Sequence, residues 1–416
     1  MFKLLKFCFW DFFTLAAVAG LRGTGDWVTD QRPKDFREYI LWRSPNGTAP
    51  LTALLSKMKK ESCTDPEFNW WEQELNAIRL TLNDAAGMSA TSTSFTVDAS
   101  DAQDLVIGDI LMVEKAMTTA YDHELIIVSS ITSSTVFIAK RAQVGTTGAG
   151  MADNALMTKI GNAFAEGTGA PLASSRNPTK LNNFCQIFKT TYNLTGTAQE
   201  TDTRTGDPVK IEKKIKMFDH AAAQELGFLF GKRFETTGAN GKPIRFTGGM
   251  LYMLSQYAST RITAYTTTPT ESTLLDAVYP IWDYDTEAGN ERIAFCGNGA
   301  LNSLNKLAKA SSSTRINFNG YITLYGMKLA EWIFPQGSIY LKTHPLFNTH
   351  GRFTNDIFIF DPSAMRYRYV RNRDTQFKDS IQLPDEDQIK GQWWGECGLE
   401  MMHAKTSCWL SNFVVP

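Results

Sequence analysis

The sequence is short of the features that metal sites, membrane spans and active sites leave behind. Its six cysteines, at 8, 63, 185, 296, 397 and 408, fall in no CxxC spacing, and nothing resembles a zinc ribbon. They read as reduced thiols of an intracellular protein. The five histidines are scattered. His344 and His350 flank the loop HPLFNTH, but without a second ligand pair they read as loop residues. Charge of one sign is missing too. Lys plus Arg total 42 and Asp plus Glu 43, a net charge of −1, which argues against a chain whose main work is to grip nucleic acid by its phosphates. Beyond the first twenty residues no stretch approaches ~18 consecutive apolar residues. Those twenty, MFKLLKFCFWDFFTLAAVAG, imitate a secretory leader ending in Ala17-Val18-Ala19. Asp11 interrupts the run, which is too short to cross a bilayer, so the segment reads as an apolar N-terminal arm docked on another surface, with no membrane partner.

Catalytic motifs are equally scarce. Gly87-Met88-Ser89-Ala90-Thr91 lacks the second glycine of a nucleophile elbow, and Gly241-Lys242 runs into Pro243 where a phosphate-binding loop needs Ser or Thr. Gly297-Asn298-Gly299, between a strand pattern and a helix pattern, offers amides to a phosphate. With no acidic residue at the ribose position it reads as a tight strand-to-helix turn. Asp385, Glu386 and Asp387 read as a solvated loop in preference to a calcium site. No catalytic, cofactor-binding or metal-ligating residue is assigned, and no cofactor is expected.

What remains is a chain of 416 residues, long enough for two or three domains, with ordinary globular composition. Its 26 Phe, 13 Tyr and 10 Trp must be buried in a core or an interface. Trp70-Trp71 and Trp393-Trp394 are candidates for either, with core favoured. The run Arg366, Arg368, Arg371, Arg373, interleaved with Tyr367 and Tyr369, suits a neighbouring acidic subunit, a solvated face or nucleic acid, in that order.

Periodicity divides the chain. Short helical signals occupy 34–40 and 51–58. Ile78, Leu80 and Leu82 alternate with polar residues, and so do Phe184, Phe188, Tyr192 and Leu194, so the two stretches are expected to pair as one long antiparallel hairpin. Between them, residues 84–155 are rich in Ser, Thr, Ala and Gly and carry short strand-like runs separated by turns, the pattern of a small β-domain that folds semi-independently. Asp207 as cap and Pro208 at the first position open the clearest helix, expected to run to 236, about 43 Å, and to stop at Gly238. Its apolar face is read as Ile211, Ile215, Phe218, Ala222, Leu226 and Leu229, with Glu212 and Lys216 paired on the polar face, and Gly227 and Gly231 as weak points or sites of close approach. Downstream, helices at 271–284 and 300–310 alternate with strands at 292–296, 321–341, 357–360 and 367–370.

The order of these parts resembles the major capsid proteins of tailed bacteriophages with the Hong Kong 97-type shell fold. The resemblance rests on Ala49-Pro50-Leu51-Thr52-Ala53-Leu54-Leu55-Ser56-Lys57-Met58 with Phe68-Asn69-Trp70-Trp71-Glu72, on Asn183-Phe184-Cys185-Gln186-Ile187-Phe188 with Thr195-Gly196-Thr197-Ala198, on the helix with Glu225 and Gly231 followed by Thr247-Gly248-Gly249-Met250, and on Asp361-Pro362 with Gly395-Glu396-Cys397-Gly398-Leu399-Glu400. It implies an α+β subunit with an N-terminal arm (1–65), an extended hairpin (66–83 and 156–205), the inserted β-domain (84–155), a peripheral domain with a spine helix (206–250 and 356–416) and an axial domain (251–355). It further implies a non-enzymatic virion protein, assembled in the host cytoplasm into hexamers and pentamers around double-stranded DNA that it does not read. Scaffolding, portal and decoration proteins are the further partners left open. No long charged N-terminal scaffold segment is present, and no residue matches a covalent cross-link. The rival readings are a tail or decoration protein, a non-viral encapsulating shell of the same fold, and an enzyme with a phosphate site at 297–299.

Overall fold

A strand that is apolar at every position must be covered on both faces. Ile357–Phe360 is such a strand, and in the computed structural model it pairs antiparallel with Glu291–Cys296, apolar from Ile293 onward, at the centre of a seven-stranded sheet. Its order is Ile262–Ala264, Cys408–Ser411, Ile357–Phe360, Glu291–Cys296, Ser338–Thr343, Met327–Ile333, Ile316–Leu324. The structure describes Leu51 and residues 59–416, apart from 74–77, 99–100, 115–122, 174, 176, 204–205, 288, 311–315, 325–326 and 350. The apolar run at 1–20, the helix expected at 34–40 and residues 52–58 lie outside the described residues.

Side-chain alternation divides the central strands between two cores. Ile293, Phe295, Phe358, Phe360 and Trp409 face one cluster, with Phe188, Phe228, Leu229 and Met250. Ala294, Cys296, Ile357, Ile359, Cys408 and Leu410 face another, with Leu274, Val278, Leu304 and Phe413. The sheet is the wall between them. It draws strands from 262–343 together with 357–360 and 408–411, so it spans the boundary placed at 355.

A second sheet runs Lys60–Cys63, Met365–Val370, Gln388–Met401, Gln186–Thr195, with the first pair parallel and Gln376–Lys378 also on Gln388–Met401. The helix Pro208–Phe230 packs on it. Asp207 caps it, accepting from the amides of Val209 at 2.9 Å and Lys210 at 3.4 Å. Phe188 meets His220 and Phe228 edge-on, with centroids 6.5 and 6.3 Å apart.

This helix departs from its sequence reading in three ways. It stops at Phe230, because Gly231 sits directly against the backbone of Thr247, where a Cβ has no room, and Gly249 N donates to Gly231 O at 2.8 Å. The residues expected to extend it form the hairpin Phe234–Thr237/Pro243–Phe246, with Gly238 in its turn. Second, the buried stripe is His220, Gln224, Glu225, Phe228 and Leu229. Ile211, Ile215 and Ala222 are half-buried, while Phe218 and Leu226 are 36% and 42% exposed. Polar side chains take the inner face because each finds a partner there: Gln224 donates to Thr375 Oγ1 at 2.7 Å and Glu225 lies 2.6 Å from His344 Nε2. Third, Lys216 pairs with Asp219 at 3.1 Å.

The expected hairpin is rearranged as well. Glu67–Glu72 pairs with Thr179–Phe184, and Gln186–Thr195 leaves to join Gln388–Met401. Cys185, buried between the two strands, breaks the alternation and marks the change of sheet. Arg79–Thr81 pairs with Leu156–Asn162 and belongs to the insert. The insert sheet is antiparallel throughout, in the order Arg79–Thr81, Leu156–Asn162, Asp109–Val113, Leu125–Ile131, Val136–Gln143, Ser94–Thr96. Its core, including Leu80, Phe95, Leu111, Ile126, Phe137 and Met157, is a separate cluster.

Candidate assembly surfaces

The residues that composition offered to chemistry are engaged with one another. The Gly297 turn closes on the backbone of Thr354, and the first amide of the helix Asn298–Ala310 donates to Asn348 Oδ1 at 2.7 Å. The protein itself supplies the acceptor that a phosphate would have been. His344 is fully buried against Glu225, and Glu225 Oε1 also accepts the amide of Leu51 at 2.8 Å; His350 lies outside the described residues. Glu386 accepts from the Gln388 side chain and the Leu383 amide, bonds internal to the 385–387 loop region. Among the described residues no three His, Cys, Asp or Glu side chains are grouped to hold a metal. No described helix is long and apolar enough to cross a membrane.

Three of the four arginines of the run pair within the subunit, and Arg371 is exposed. Arg366 Nη1 lies 2.7 Å from Glu61 Oε1, Arg368 bridges Glu61 and Glu400, and Arg373 pairs with Glu396. The two contacts to Glu61 tie the strand Lys60–Cys63, at the end of the arm, to Met365–Val370. A second cluster sits in the insert. Arg141 gives two bonds of 2.6 Å to Glu124, and the amides of Ala142 and Ala149 donate to the same carboxylate at 3.0 and 3.1 Å. Burial alone would raise that carboxyl, but Arg141 and the two amides hold it below its usual range.

Large apolar side chains are exposed on a strand, on the long helix and on the hairpin after it. Alternation along Glu67–Glu72 buries Trp70 and turns Trp71 out, 64% exposed. Met217, Phe218 and Leu226 are exposed on the long helix, and Phe234, Ile244 and Phe246 on the hairpin after it. Sequence reasoning missed that hairpin, although Asn240-Gly241 before Pro243 is a turn signal. Large apolar surface left exposed on a helix, a hairpin and a strand defines a structural subunit that completes itself against other chains.

Comparison with known proteins places it. The SU10 major capsid protein family matches residues 18–413. The major capsid protein of Pseudomonas phage PaMx41 is 27% identical over 370 residues, 88% of this chain and 85% of that one. Among solved structures, that of Mycobacterium phage Bobi covers 94% of this chain and 98% of its own at 7% identity and a TM-score of 0.45. The mature capsid of bacteriophage PhiM1 covers 62% and 80% at 12% identity and a TM-score of 0.37. Neither score reaches 0.5, so the assignment rests on the sequence match. The chain belongs to the SU10 major capsid protein family: it is a major capsid protein of a tailed phage, a non-enzymatic virion component that forms the head shell.

Proposed function

We propose that this subunit closes the head as hexamers and pentamers with the Hong Kong 97-type organisation. In this reading an arm (1–65), a hairpin (66–83 and 156–205), an inserted domain (84–155), a peripheral domain (206–250 and 356–416) and an axial domain (251–355) share the work. The shell is assembled in the host cytoplasm and encloses double-stranded DNA without reading its sequence. The near-neutral charge suits that task, since a container gripping phosphates everywhere would bind its cargo before closing. Scaffolding, portal and decoration proteins are the further partners of this reading.

The observation that carries it is the exposed apolar surface on the helix Pro208–Phe230 and the hairpin after it, where Leu226 is 42% exposed and Phe234, Ile244 and Phe246 are exposed as well. A helix whose apolar side chains point to water has its second partner in another molecule. Leu226→Glu, at an exposed site, is expected to leave the fold intact by circular dichroism and to prevent shells in negative-stain micrographs where the parent chain forms six- and five-membered rings. A parent chain that stays monomeric in sedimentation, alone and with the other head proteins, would overturn the proposal. Shells of Leu226→Glu indistinguishable from the parent would remove this helix from the interface.

A further inference from the structure

Two of the cysteines meet. Cys63 ends the strand Lys60–Cys63, and Cys185 is the single residue between Thr179–Phe184 and Gln186–Thr195. Three residues beyond Cys63, the carbonyl of Pro66 accepts the amide of Cys185 at 2.7 Å, and the next residue, Glu67, pairs with Phe184. Backbone hydrogen bonds therefore hold 66–67 against 184–185, and the two sulfurs lie 3.5 Å apart across 122 positions of sequence. The Cys63 thiol is also 3.2 Å from the carbonyl of Tyr369. The site is a preformed dithiol, with both groups free.

We propose that Cys63 and Cys185 are an oxidation site, closed to an intramolecular disulfide by a small-molecule disulfide once the shell leaves a reducing compartment. Burial and charge set the order of events. Cys63 is half-buried and within reach of a small oxidant, whereas Cys185 is buried. The hydrogen bond from Cys185 lowers the Cys63 thiol against the opposing effect of burial, and Arg368 assists. Cys185 is raised, first by the neighbouring Cys63 and then by burial. Cys63 is thus the attacking thiolate. Its sulfur bonds to one sulfur of the small disulfide, whose S–S bond breaks and releases a thiolate. Capping Cys63 removes the charge that disfavoured ionisation of Cys185. The Cys185 proton passes to the released thiolate, the Cys185 sulfur attacks the Cys63 sulfur, the mixed disulfide breaks, and the second small thiol leaves on taking a proton from water. The two cysteines lose two electrons, and the small disulfide gains them as two thiols.

The other described cysteines are poorer targets. Cys296, Cys397 and Cys408 are fully buried, and burial pushes each up to about 12. Cys397 also accepts from Gln224 at 3.6 Å. The bond would close a loop containing the whole insert, joining the strand at the end of the arm to the segment that returns from the insert. Such a cross-link restricts the unfolded chain most when the loop is long. Thiols stay reduced inside most cells and oxidise outside them, so the same subunit would be open while a shell is built and locked after release.

The test uses assembled particles of the parent chain and of Cys63→Ser, Cys185→Ser and Cys397→Ser, treated with oxidised glutathione without denaturant. The parent is expected to lose two of its six thiols per chain. Mass spectrometry of unreduced digests should join the peptide containing Cys63 to that containing Cys185, and the dissociation temperature should rise by several degrees, a gain that dithiothreitol reverses. Cys397→Ser should behave as the parent, and the other two variants should show neither the peptide nor the gain. Digests of the parent decide the matter even if a variant fails to assemble. Six retained thiols, a link to Cys397 or between chains, closure only after denaturation, or an unchanged dissociation temperature with the bond formed would each overturn the proposal.

Discussion

Arg141 and Glu124 are nearly dry, with side chains 6% and 1% exposed, and a charge pair in that position is strong only while both members are present. Arg141→Ala leaves the carboxylate buried with two amide donors and should cost about 3–5 kcal/mol of insert stability, seen as a lower melting temperature. The same pair gives the insert an acid limit. The Glu124 carboxyl titrates in the folded state below its ordinary value of 4.5. Its contribution is therefore complete above that value and is lost as pH falls through the folded one. Glu124→Gln should be less stable at neutral pH and should lose less on acidification. Amide exchange at Ala142 and Ala149, corrected for intrinsic rates, reads both effects. Glu225 plays a comparable part in the main core, where it joins Leu51 to His344. Glu225→Ala leaves the Leu51 amide and the buried His344 without this acceptor and is expected to cost about 1–3 kcal/mol for each group left unsatisfied and to detach the segment at Leu51, measured as new protease cleavage near residue 51. Neither pair was legible in sequence. Glu225 and His344 are 119 residues apart, and nothing local to either announces the other.

The helix Pro208–Phe230 was legible in its start and its existence, because Asp207, Pro208 and the apolar spacing are local signals. Its end and its buried face were not. Gly231 stops it through a contact with Thr247, and the inner stripe is set by tertiary partners that an apolar periodicity does not register. The same distinction holds for the strands. The strands at 292–296 and 357–360 were readable from their apolar runs, whereas the partner of 186–195 was not, since alternation tells which side chains face inward and says nothing of which strand lies alongside. One test separates the helix's backbone from its surface. Ala222→Pro removes an interior hydrogen bond and should cost about 3 kcal/mol or more. Lys216→Ala gives up only an i,i+3 pair with Asp219, a few tenths of a kcal/mol. Electron microscopy should find particles for Lys216→Ala and none for Ala222→Pro; equal assembly of both would show that the helix need not be continuous.

In the molecule as a whole, the insert is the part most nearly complete in itself, with its own sheet and its own apolar cluster. Residues 79–162 expressed alone are expected to give dispersed amide resonances and a cooperative melt, and a collapsed spectrum would mean that the insert depends on its host. Arg79 lies opposite Thr158, so the chain goes out to the insert and comes back on adjacent strands. To the rest of the subunit, everything from residue 79 to residue 162 is topologically one turn. Its length, and even its fold, can then change without rethreading any strand of the two-core body. A foreign domain whose own ends lie side by side is expected to be accepted there, which would make this junction the natural place to mount cargo on the particle.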